Sequence, residues 1–469
     1  MTTTPVKSII IDGTTYDITN FSHPGGSIIG YFAGGIEDAG ETFREFHARS
    51  KYARTILQSL PKIVAAPAAP APAAAPAAET GTQTQTQTQT QTQTDSQKHA
   101  MILDYRDMRA TLTNIGCFEP DLIHAYFRLM EIAFFFGLGV WLAPHNICAS
   151  VLAFIAFKTR CGWVQHEGGH LSLTGNKDVD RAIQTVAMGL AGGLSGTFWN
   201  TMHNKHHATP QKIKHDIDLD TTPAVAFFKT AFEQNTNGPA AAPYMNRWWM
   251  RCQAWLFLPI TNGVLVHLFW TYYLHPKRVL TAIRASSVAR NGCMRRHLFE
   301  TTCMLSCHTV IPAVFYWRGE YSAVSAYLLL MLCNFWNVIY LFGHFSLSHT
   351  FTDVVPENEN RLWFEYAIRH SVNISTKSAL VGWIMGYLNF QIEHHMFPSM
   401  PQHKNAIAAP HIRAFCARWD GTTNDDTGAK YRLKYVELGY IEAWRKMFAN
   451  LSDVGLHYST NGIGNKKID

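Results

Sequence analysis

Five long runs of hydrophobic residues recur along the chain and are separated by more polar segments. They lie near residues 125–143, 147–164, 253–274, 300–317 and 321–343. Because an α-helix needs about 20 mainly apolar residues to cross the hydrocarbon layer, each run is a candidate membrane helix. The short connections within the first pair and the last pair predict two transmembrane hairpins. The run at 253–274 is ambiguous, since it contains Asn262 and His267.

The N-terminal part follows a different pattern, in which short apolar stretches alternate with turn residues. Ser8 to Ile18 is typical of two strands around an Asp12-Gly13 turn, and a polar helical stretch follows through His47. These features predict a small α+β domain over residues 1–61.

The next segment, residues 62–98, is rich in Pro and Ala and then alternates Thr with Gln. It has no apolar periodicity and cannot bury a core, which predicts a flexible linker. The remaining residues, 99–469, then form the large domain. We expect an α-helical, multi-pass membrane domain with two transmembrane hairpins and a cytosolic helical cap.

The composition supports a membrane protein that also has soluble segments. Of the 469 residues, 47% are hydrophobic and only 16% are charged, whereas about 25% is usual for soluble proteins. The net charge of +6 is modest, and no basic repeat indicates a nucleic-acid partner. The nine cysteines contain no Cys-x-x-Cys pair, which favours a reducing compartment.

Histidines are concentrated in three short motifs of the large domain. The motifs are His166-Glu-Gly-Gly-His170, His203-Asn-Lys-His206-His207 and Gln391-Ile-Glu-His394-His395. Each contains histidines at spacings that bring side chains together on a helix. Imidazole is a good ligand for iron, zinc and copper, and no cysteine lies within the motifs. The three motifs therefore predict one polynuclear metal site.

The first motif also matches His-Glu-x-x-His, which in metalloproteases binds zinc with the Glu as general base. In this alternative Glu167 would be the base. Gly168 and Gly169 disfavour the rigid helix that the motif needs, at about 1 kcal/mol each. A zinc protease would also leave the other two motifs unexplained.

A further pair of histidines lies in the N-terminal domain. His23 is in the tight turn His23-Pro-Gly-Gly26, and His47 ends the polar helical stretch. Two histidines that face each other can bind a haem iron from both sides. The alternative, a turn plus a surface histidine, is equally compatible with the spacing alone.

Longer stretches of this domain resemble the cytochrome b5 family. The similar segments are Asp12 to Phe21, His23 to Gly26 and Glu41 to His47, although the segment before Ile9 is short for the family. The resemblance implies that His23 and His47 are the axial ligands of haem b.

The large domain is similar to front-end fatty-acid desaturases. The similar segments are Arg160 to Gly175, His203 to Pro210 and Asn389 to Pro398, and the order of cytochrome b5 domain, linker and three motifs also matches. A glutamine at position 391, where other desaturases carry histidine, is the mark of the front-end class. The resemblance implies two non-haem iron ions bound by His166, His170, His203, His206, His207, His394 and His395, with Gln391 in a ligand position.

The resemblance also implies the reaction and its partners. A front-end enzyme introduces a cis double bond between an existing one and the carboxyl end of a polyunsaturated acyl chain. It uses O2 and electrons that NADH-cytochrome b5 reductase supplies through the cytochrome b5 domain. The substrate is a polyunsaturated acyl-CoA or acyl-lipid, and the enzyme works within the lipid bilayer.

Such sites usually take one more histidine upstream of the third motif. In this chain His349 is the preferred candidate and His344 is the alternative. The segment His215-Asp-Ile-Asp218 also fits the family pattern, and we expect it to orient a histidine of the second motif.

The regiochemistry depends on which relatives are given more weight. Arg160 to Gly175 and Thr209 to Phe228 look most like green-algal delta-6 enzymes, whereas Val372 to Ser378 looks more like thraustochytrid delta-5 enzymes. Delta-6 is the preferred interpretation and delta-5 the next, with delta-8 and delta-4 as further alternatives.

The topology follows from requiring that all three motifs build one site. An even number of crossings must then separate His207 from Gln391, so one of the three apolar runs between them is interfacial or re-entrant. Lysines and arginines close to the motifs predict a cytosolic site. The terminal Lys466-Lys467-Ile-Asp469 resembles a dilysine retrieval signal, which implies the endoplasmic reticulum membrane with both termini cytosolic.

Overall fold

The computed structural model describes residues 7–34, 37–63, 83–288, 293–423 and 428–463. These residues are mostly helical and include two small two-stranded sheets. The dilysine segment lies outside the described residues.

The N-terminal unit begins with the predicted hairpin. Strands β1 (Ser8–Ile11) and β2 (Thr14–Asp17) pair antiparallel, with Ser8 opposite Asp17. Asp12 and Gly13 have φ angles of 50° and 72°, the left-handed turn that matches strand twist in a two-residue hairpin. The predicted Asp12-Gly13 turn is therefore confirmed.

Helical segments complete this unit: a 3-10 helix (Gly26–Tyr31), α1 (Gly40–Phe46) and α2 (Lys51–Ser59). They enclose a small core that includes Ile9, Ile11, Tyr16 and Ile18. The unit has two strands among its described residues, so its α+β character as a cytochrome b5-like domain stays a prediction.

Helices form almost all of the remaining structure. They are, in chain order, α3 (Gln83–Asn114), α4 (Leu122–Leu142), α5 (Ile147–Gly169), α6 (Lys177–Gly192), α7 (Gly196–Ala208), α8 (Ala231–Gln234), α9 (Gly238–Ala241), α10 (Arg247–Leu256), α11 (His267–Phe269), α12 (His275–Val288), α13 (Cys293–Cys307), α14 (Val310–Trp317), α15 (Ala323–Ser346), α16 (Trp363–Arg369), α17 (Ala379–Ile384), α18 (Gln391–Met396), α19 (Asn405–Trp419) and α20 (Tyr440–Asn461). Strands β3 (Asn373–Ile374) and β4 (Glu437–Leu438) form a short parallel pair.

Helix α3 overlaps the C-terminal part of the predicted linker. The structure places Gln83 to Asn114 in one helix, and the linker and domain bounds stay a prediction. The C-terminal half of α3 buries Met101, Tyr105 and Leu112 against α16, α18 and α19. Once such a packed segment is helical, adding residues to its end avoids the cost of nucleation, and glutamine is a good helix former.

Five helical stretches among the described residues are long and apolar enough to cross a membrane. They are Leu122–Leu142, Ile147–Gly169, Arg247–Ser286, Cys293–Trp317 and Ala323–Ser346. Helices α4 and α5 pack together, as do α14 and α15, in agreement with the two predicted hairpins. The ambiguous third run lies in Arg247–Ser286, which contains the π-helical segments Phe257–Val266 and Trp270–Leu274.

The N-terminal unit packs on the large domain through α1 and the residues that follow it. Buried Glu45 forms an ion pair with Arg109 of α3, and the ring of Phe46 lies 5.5 Å from that of Trp363. Arg49 donates to the carbonyl oxygens of Phe118 and Ser399 at 3.0 and 3.2 Å. The unit therefore lies against the part of the large domain where Ser399 follows the third histidine motif.

Candidate metal centre

The three histidine motifs lie on helices that meet at one place. His166 is near the end of α5, and His170 follows that helix. The second motif occupies the last two turns of α7, and α18 carries Gln391 and the third pair. The expectation that the motifs build one site agrees with this arrangement.

Two glycines allow the helices of the site to approach closely. A Cβ atom on Gly168 would lie 2.9 Å from the carbonyl oxygen of Asp180, and one on Gly169 would lie 2.7 Å from Trp199. Both glycines belong to α5, although glycine was expected to disfavour a rigid helix at these positions. Packing of α6 and α7 on this face explains how the structure tolerates their low helix propensity.

Five imidazoles form the first group. Each offers one ring nitrogen, and these five nitrogens all lie within 4.8 Å of one another. Its members are His166, His170, His203, His207 and His394. The Nε2 atom of His203 lies 2.9 Å from that of His166 and 3.1 Å from that of His207. The Nε2 atoms of His207 and His394 are also 3.1 Å apart.

Three imidazoles form the second group: His206, His349 and His395. The Gln391 side-chain nitrogen lies 3.1 Å from Nε2 of His349, which places an amide beside this group. The rings of His207 and His395 are stacked with centroids 4.2 Å apart, so the two groups are adjacent. His344 belongs to neither group, because its two nitrogens contact the Tyr340 carbonyl oxygen and the Tyr440 hydroxyl.

The donor set of both groups fits metal ions. Neutral imidazoles whose nitrogens converge cannot satisfy one another fully, since each ring has one donor and one acceptor. Among the described residues, Nε2 of His170 and both ring nitrogens of His395 are buried without a hydrogen-bond partner. Cations that accept imidazole ligands would satisfy these atoms.

Burial keeps most of these histidines in the neutral form that binds metals. It lowers the pKa of His170 and His349 to about 3. Burial and the neighbouring histidines also hold the pKa well below its usual range for His203, His207, His394 and His395.

His206 is the exception, and an aspartate accounts for the difference. Its Nδ1 atom donates to Asp216 at 2.9 Å, and the same carboxylate accepts the backbone N–H groups of Gln211 and Asp218. Burial disfavours the imidazolium, but the Asp216 and Asp218 carboxylates outweigh it and raise the pKa of His206 to about 9. The expected orienting role of the 215–218 segment agrees with the position of Asp216.

Two residues outside the three motifs, Gln402 and His370, also support the site. The Gln402 amide nitrogen lies 2.6 Å from Nδ1 of His166, and the backbone N–H of Gln402 donates to Glu167 at 3.0 Å. Nδ1 of His349 donates to the carbonyl oxygen of His370 at 2.8 Å. Neither contact has a sequence signal, because Gln402 is 236 residues from His166 and His370 contributes only its backbone oxygen.

The N-terminal histidines also face each other. The rings of His23 and His47 have centroids 6.0 Å apart and are nearly perpendicular, at 87°. His47 directs Nδ1 to the Phe43 carbonyl oxygen at 3.0 Å, which leaves Nε2 for another partner. Burial lowers the pKa of both histidines, so both are neutral near pH 7.

One contact connects this unit to the second histidine group. The ring of Tyr31 stacks on that of His215 at 4.1 Å, and the Tyr31 hydroxyl donates to the His215 carbonyl oxygen at 3.1 Å. The next residue, Asp216, is the partner of His206. The N-terminal unit thus lies one residue away from a side chain that supports the candidate metal centre.

The fold and the site together define a class of protein. Several apolar helices indicate membrane association, and two adjacent groups of buried histidines provide a site that can hold metal. These features are those of a membrane-associated protein with a histidine-rich metal centre.

Comparison with known proteins then gives the family. The fatty acid desaturase profile matches residues 122–425. The chain is 36% identical to an acyl-lipid (8-3)-desaturase of Rebecca salina, covering 96% of this chain and 91% of the relative. It is 35% identical to a protein of the same name from Thraustochytrium sp, covering 99% and 95%. Fatty acid desaturase 3 of Bos taurus is 26% identical, covering 88% and 84%. The chain belongs to the fatty acid desaturase family.

Family membership establishes the general activity. The protein is an oxidoreductase that acts on fatty acyl substrates with O2, and the family generally uses two iron ions. Membership of the desaturase family does not support the zinc-protease alternative. The buried Glu167 accepts a backbone hydrogen bond from Gln402, which is a structural contact.

Replacing Asp216 by asparagine tests its role at His206. The variant keeps the size of the side chain but loses the charge that holds the Nδ1 proton, so we expect product formation to fall about 10- to 100-fold. Product per unit of protein and iron content in isolated membranes would be measured. Asp453→Asn, at an exposed ion pair with Lys229, is the matched control. Full activity of the Asp216→Asn protein would contradict this role.

Proposed function

We propose that this protein is a front-end desaturase that inserts a cis double bond between an existing double bond and the carboxyl end of a polyunsaturated acyl chain. The observation that carries the proposal is the pair of adjacent histidine groups, with the Gln391 amide beside the second. An amide at this position accords with the glutamine that marks the front-end class.

In this proposal each histidine group holds one iron ion. His166, His170, His203, His207 and His394 would hold the first, and His206, His349 and His395 with Gln391 the second. Amide nitrogen and oxygen are assigned from the hydrogen-bond network, so the Gln391 oxygen can face the site. When bound, the two ions supply the activation of O2 that removal of hydrogen from an unactivated C–H bond requires.

The protein's own residues orient the ligands and exclude water. Asp216 and the His370 carbonyl oxygen hold protons on Nδ1 of His206 and His349, which directs the Nε2 atoms toward the centre. The Gln402 side chain likewise contacts Nδ1 of His166. Burial of these rings excludes water, which would otherwise compete for the reactive centre.

We further propose that residues 1–61 form a haem b domain that delivers electrons. Two imidazoles that bind one iron from opposite sides, each with a metal–nitrogen bond of about 2 Å, have ring centroids roughly 6 Å apart. The centroids of His23 and His47 are 6.0 Å apart. The contact of Tyr31 with His215 would bring this domain next to the iron site. Residues 62–98 would connect it to the desaturase domain at 99–469.

The electron donor and the location complete the proposal. NADH-cytochrome b5 reductase would reduce the haem in the cytosol, where both termini and the histidine site would lie. The membrane would be that of the endoplasmic reticulum. Because the motifs meet in one site and three apolar stretches separate α7 from α18, one of the three would not cross the bilayer.

For regiochemistry, the names of the relatives support delta-5 insertion, whereas the sequence motifs alone favour delta-6 insertion. Two relatives that align with nearly the whole chain are both named acyl-lipid (8-3)-desaturase. We interpret this name as insertion three carbons on the carboxyl side of a bond at position 8, and 8 − 3 = 5. Delta-6 insertion is the second candidate, supported by the resemblance of Arg160 to Gly175 to green-algal enzymes.

Expression in yeast tests these assignments. Cultures would be fed linoleic, alpha-linolenic and dihomo-gamma-linolenic acids, and the products identified by gas chromatography. A delta-5 enzyme converts dihomo-gamma-linolenic acid and leaves the other two unchanged, whereas a delta-6 enzyme converts the other two. Insertion on the methyl side of the existing double bonds would overturn the front-end proposal.

A further inference from the structure

A largely apolar cavity lies along α5, close to the first histidine motif. It is lined by α5, α6, α15 and the helical stretch around His267, and Gln165, the neighbour of His166, forms part of its wall. Apolar side chains provide most of the lining, among them Met188, Leu194, Val266, Trp270, Leu341 and Phe342. The position next to the histidines and the apolar wall suit the hydrocarbon chain of a fatty acyl substrate.

The depth of this cavity follows from the packing of α15 on α5. The Thr159 hydroxyl oxygen lies 3.4 Å from the Asn337 side-chain oxygen, and Thr159 is seven residues before His166. This corresponds to about 10 Å along the helix axis. Asn334 also lines the cavity and is nearly one turn further from the histidines. The cavity therefore extends well beyond the position at which a reacting carbon would meet the metal centre.

Two polar side chains of this deep region lack a partner. Among the described residues, the Asn334 side-chain nitrogen and the Nε2 atom of His267 are buried without a hydrogen-bond partner. Asn334 is 2% exposed and His267 is 5% exposed. Nδ1 of His267 lies 3.3 Å from the Thr271 hydroxyl. In the tautomer in which Nδ1 accepts from this hydroxyl, the proton is on Nε2. In that tautomer both unpartnered atoms are N–H donors, and burying such donors is costly.

Lys158, which also lines the cavity, does not need a ligand. Its ammonium group donates to the carbonyl oxygen of Ala191, at the C-terminal end of α6. A cation is favourable at this end of a helix. Among the described residues that line the cavity, Asn334 and His267 are those with a fully buried side-chain nitrogen that lacks a partner. His267 lies between two π-helical segments, a backbone form that often occurs at functional sites.

We infer that Asn334 and His267 recognise the double bonds already present in the acyl chain. The inference rests on the proposed front-end reaction, in which existing double bonds lie on the methyl side of the new one. The polar carboxyl end stays outside an apolar cavity, so the methyl end enters first and brings these double bonds to the deep region. The π electrons of a double bond accept a weak hydrogen bond from an N–H group, whereas a saturated segment offers no acceptor.

Fatty-acid binding to the purified full-length protein tests this inference without requiring turnover. The probe is cis-parinaric acid, whose fluorescence rises in an apolar site, displaced by dihomo-gamma-linolenic acid or by the saturated arachidic acid of equal length. We expect the wild-type protein to prefer the polyunsaturated competitor. Asn334→Leu and His267→Leu should each reduce that preference about two- to fivefold, without weakening the binding of arachidic acid.

A matched variant controls for general effects of the substitution. Asn262→Leu makes the same asparagine-to-leucine change in the Phe257–Val266 segment. The Asn262 amide donates to the Phe257 carbonyl oxygen, and Asn262 does not line the cavity. Its preference should equal that of the wild type. If Asn334→Leu does not fold, His267→Gln, which retains an N–H donor, should keep the preference that His267→Leu loses.

Two outcomes would overturn the inference, and each differs from failure of the proposed reaction. An unchanged preference in folded Asn334→Leu and His267→Leu proteins would exclude recognition by these donors. Equal loss of both competitors would show that the donors hold water or support the fold. Failure of the front-end reaction itself is a separate outcome, which the yeast product analysis would reveal as insertion on the methyl side of the existing double bonds.

Discussion

Replacing His207 with alanine should reduce product formation by more than about 100-fold, the upper range for loss of a residue that only supports a ligand. His207 contributes to the first histidine group, its Nε2 atom lies 3.1 Å from those of His203 and His394, and its ring stacks on His395. Loss of this imidazole removes one proposed ligand and the contact between the two groups. Gas chromatography of products and iron analysis of the purified protein would measure both effects.

The variant should remain folded, since Nδ1 of His207 has no hydrogen-bond partner among the described residues. The haem spectrum and the helical signal in circular dichroism should therefore be unchanged. His395→Ala should behave in the same way, whereas His145→Ala, in the exposed turn after α4, should retain full activity. Continued desaturation by the His207→Ala and His395→Ala proteins would refute the two-iron assignment.

Replacing His23 with alanine should remove the haem and stop desaturation that depends on NADH. His23 and His47 are the proposed axial ligands, and one histidine cannot bind the iron from both sides. Loss of the haem absorbance band and loss of NADH-dependent product would be measured on the same membranes. Tyr52→Ala, an exposed change in α2 of the same unit, is the control that should leave both unchanged.

A chemical reductant distinguishes this variant from the metal-site variants. When the iron site is reduced directly, His23→Ala should still form product in a single turnover, because its histidine groups are intact. His207→Ala should form none under the same conditions. A His23→Ala protein that keeps its haem absorbance would contradict the axial-ligand assignment.

The histidine motifs show how far helical periodicity can predict a site. Successive residues of an α-helix point about 100° apart, so the neighbours His206 and His207 must face different directions. The structure places His207 in the first group and His206 in the second. The spacing thus predicts that His206 and His207 belong to different groups. Which histidines from other helices join each group depends on how α5, α7 and α18 pack.

Residues that support the site from a distance were less predictable. Asp216, nine residues after His207, lies in the family pattern His215-Asp-Ile-Asp218, whereas no sequence signal marks Gln402 or the His370 carbonyl oxygen. The choice between His349 and His344 was also open in the sequence, because the two are five residues apart on adjoining turns. The structure directs His349 to the second group and His344 to Tyr440.

The sequence by itself determined the apolar helices, the N-terminal hairpin, the family and the histidines of the site. It could do so because membrane burial requires long apolar runs, tight turns require particular residues, and metal binding requires imidazoles at helical spacing. Only the tertiary structure decided how these histidines divide into two groups, which buried atoms orient them, and which donors line the adjoining cavity. These features depend on distances between helices that are far apart in the chain, and local sequence rules do not specify such distances.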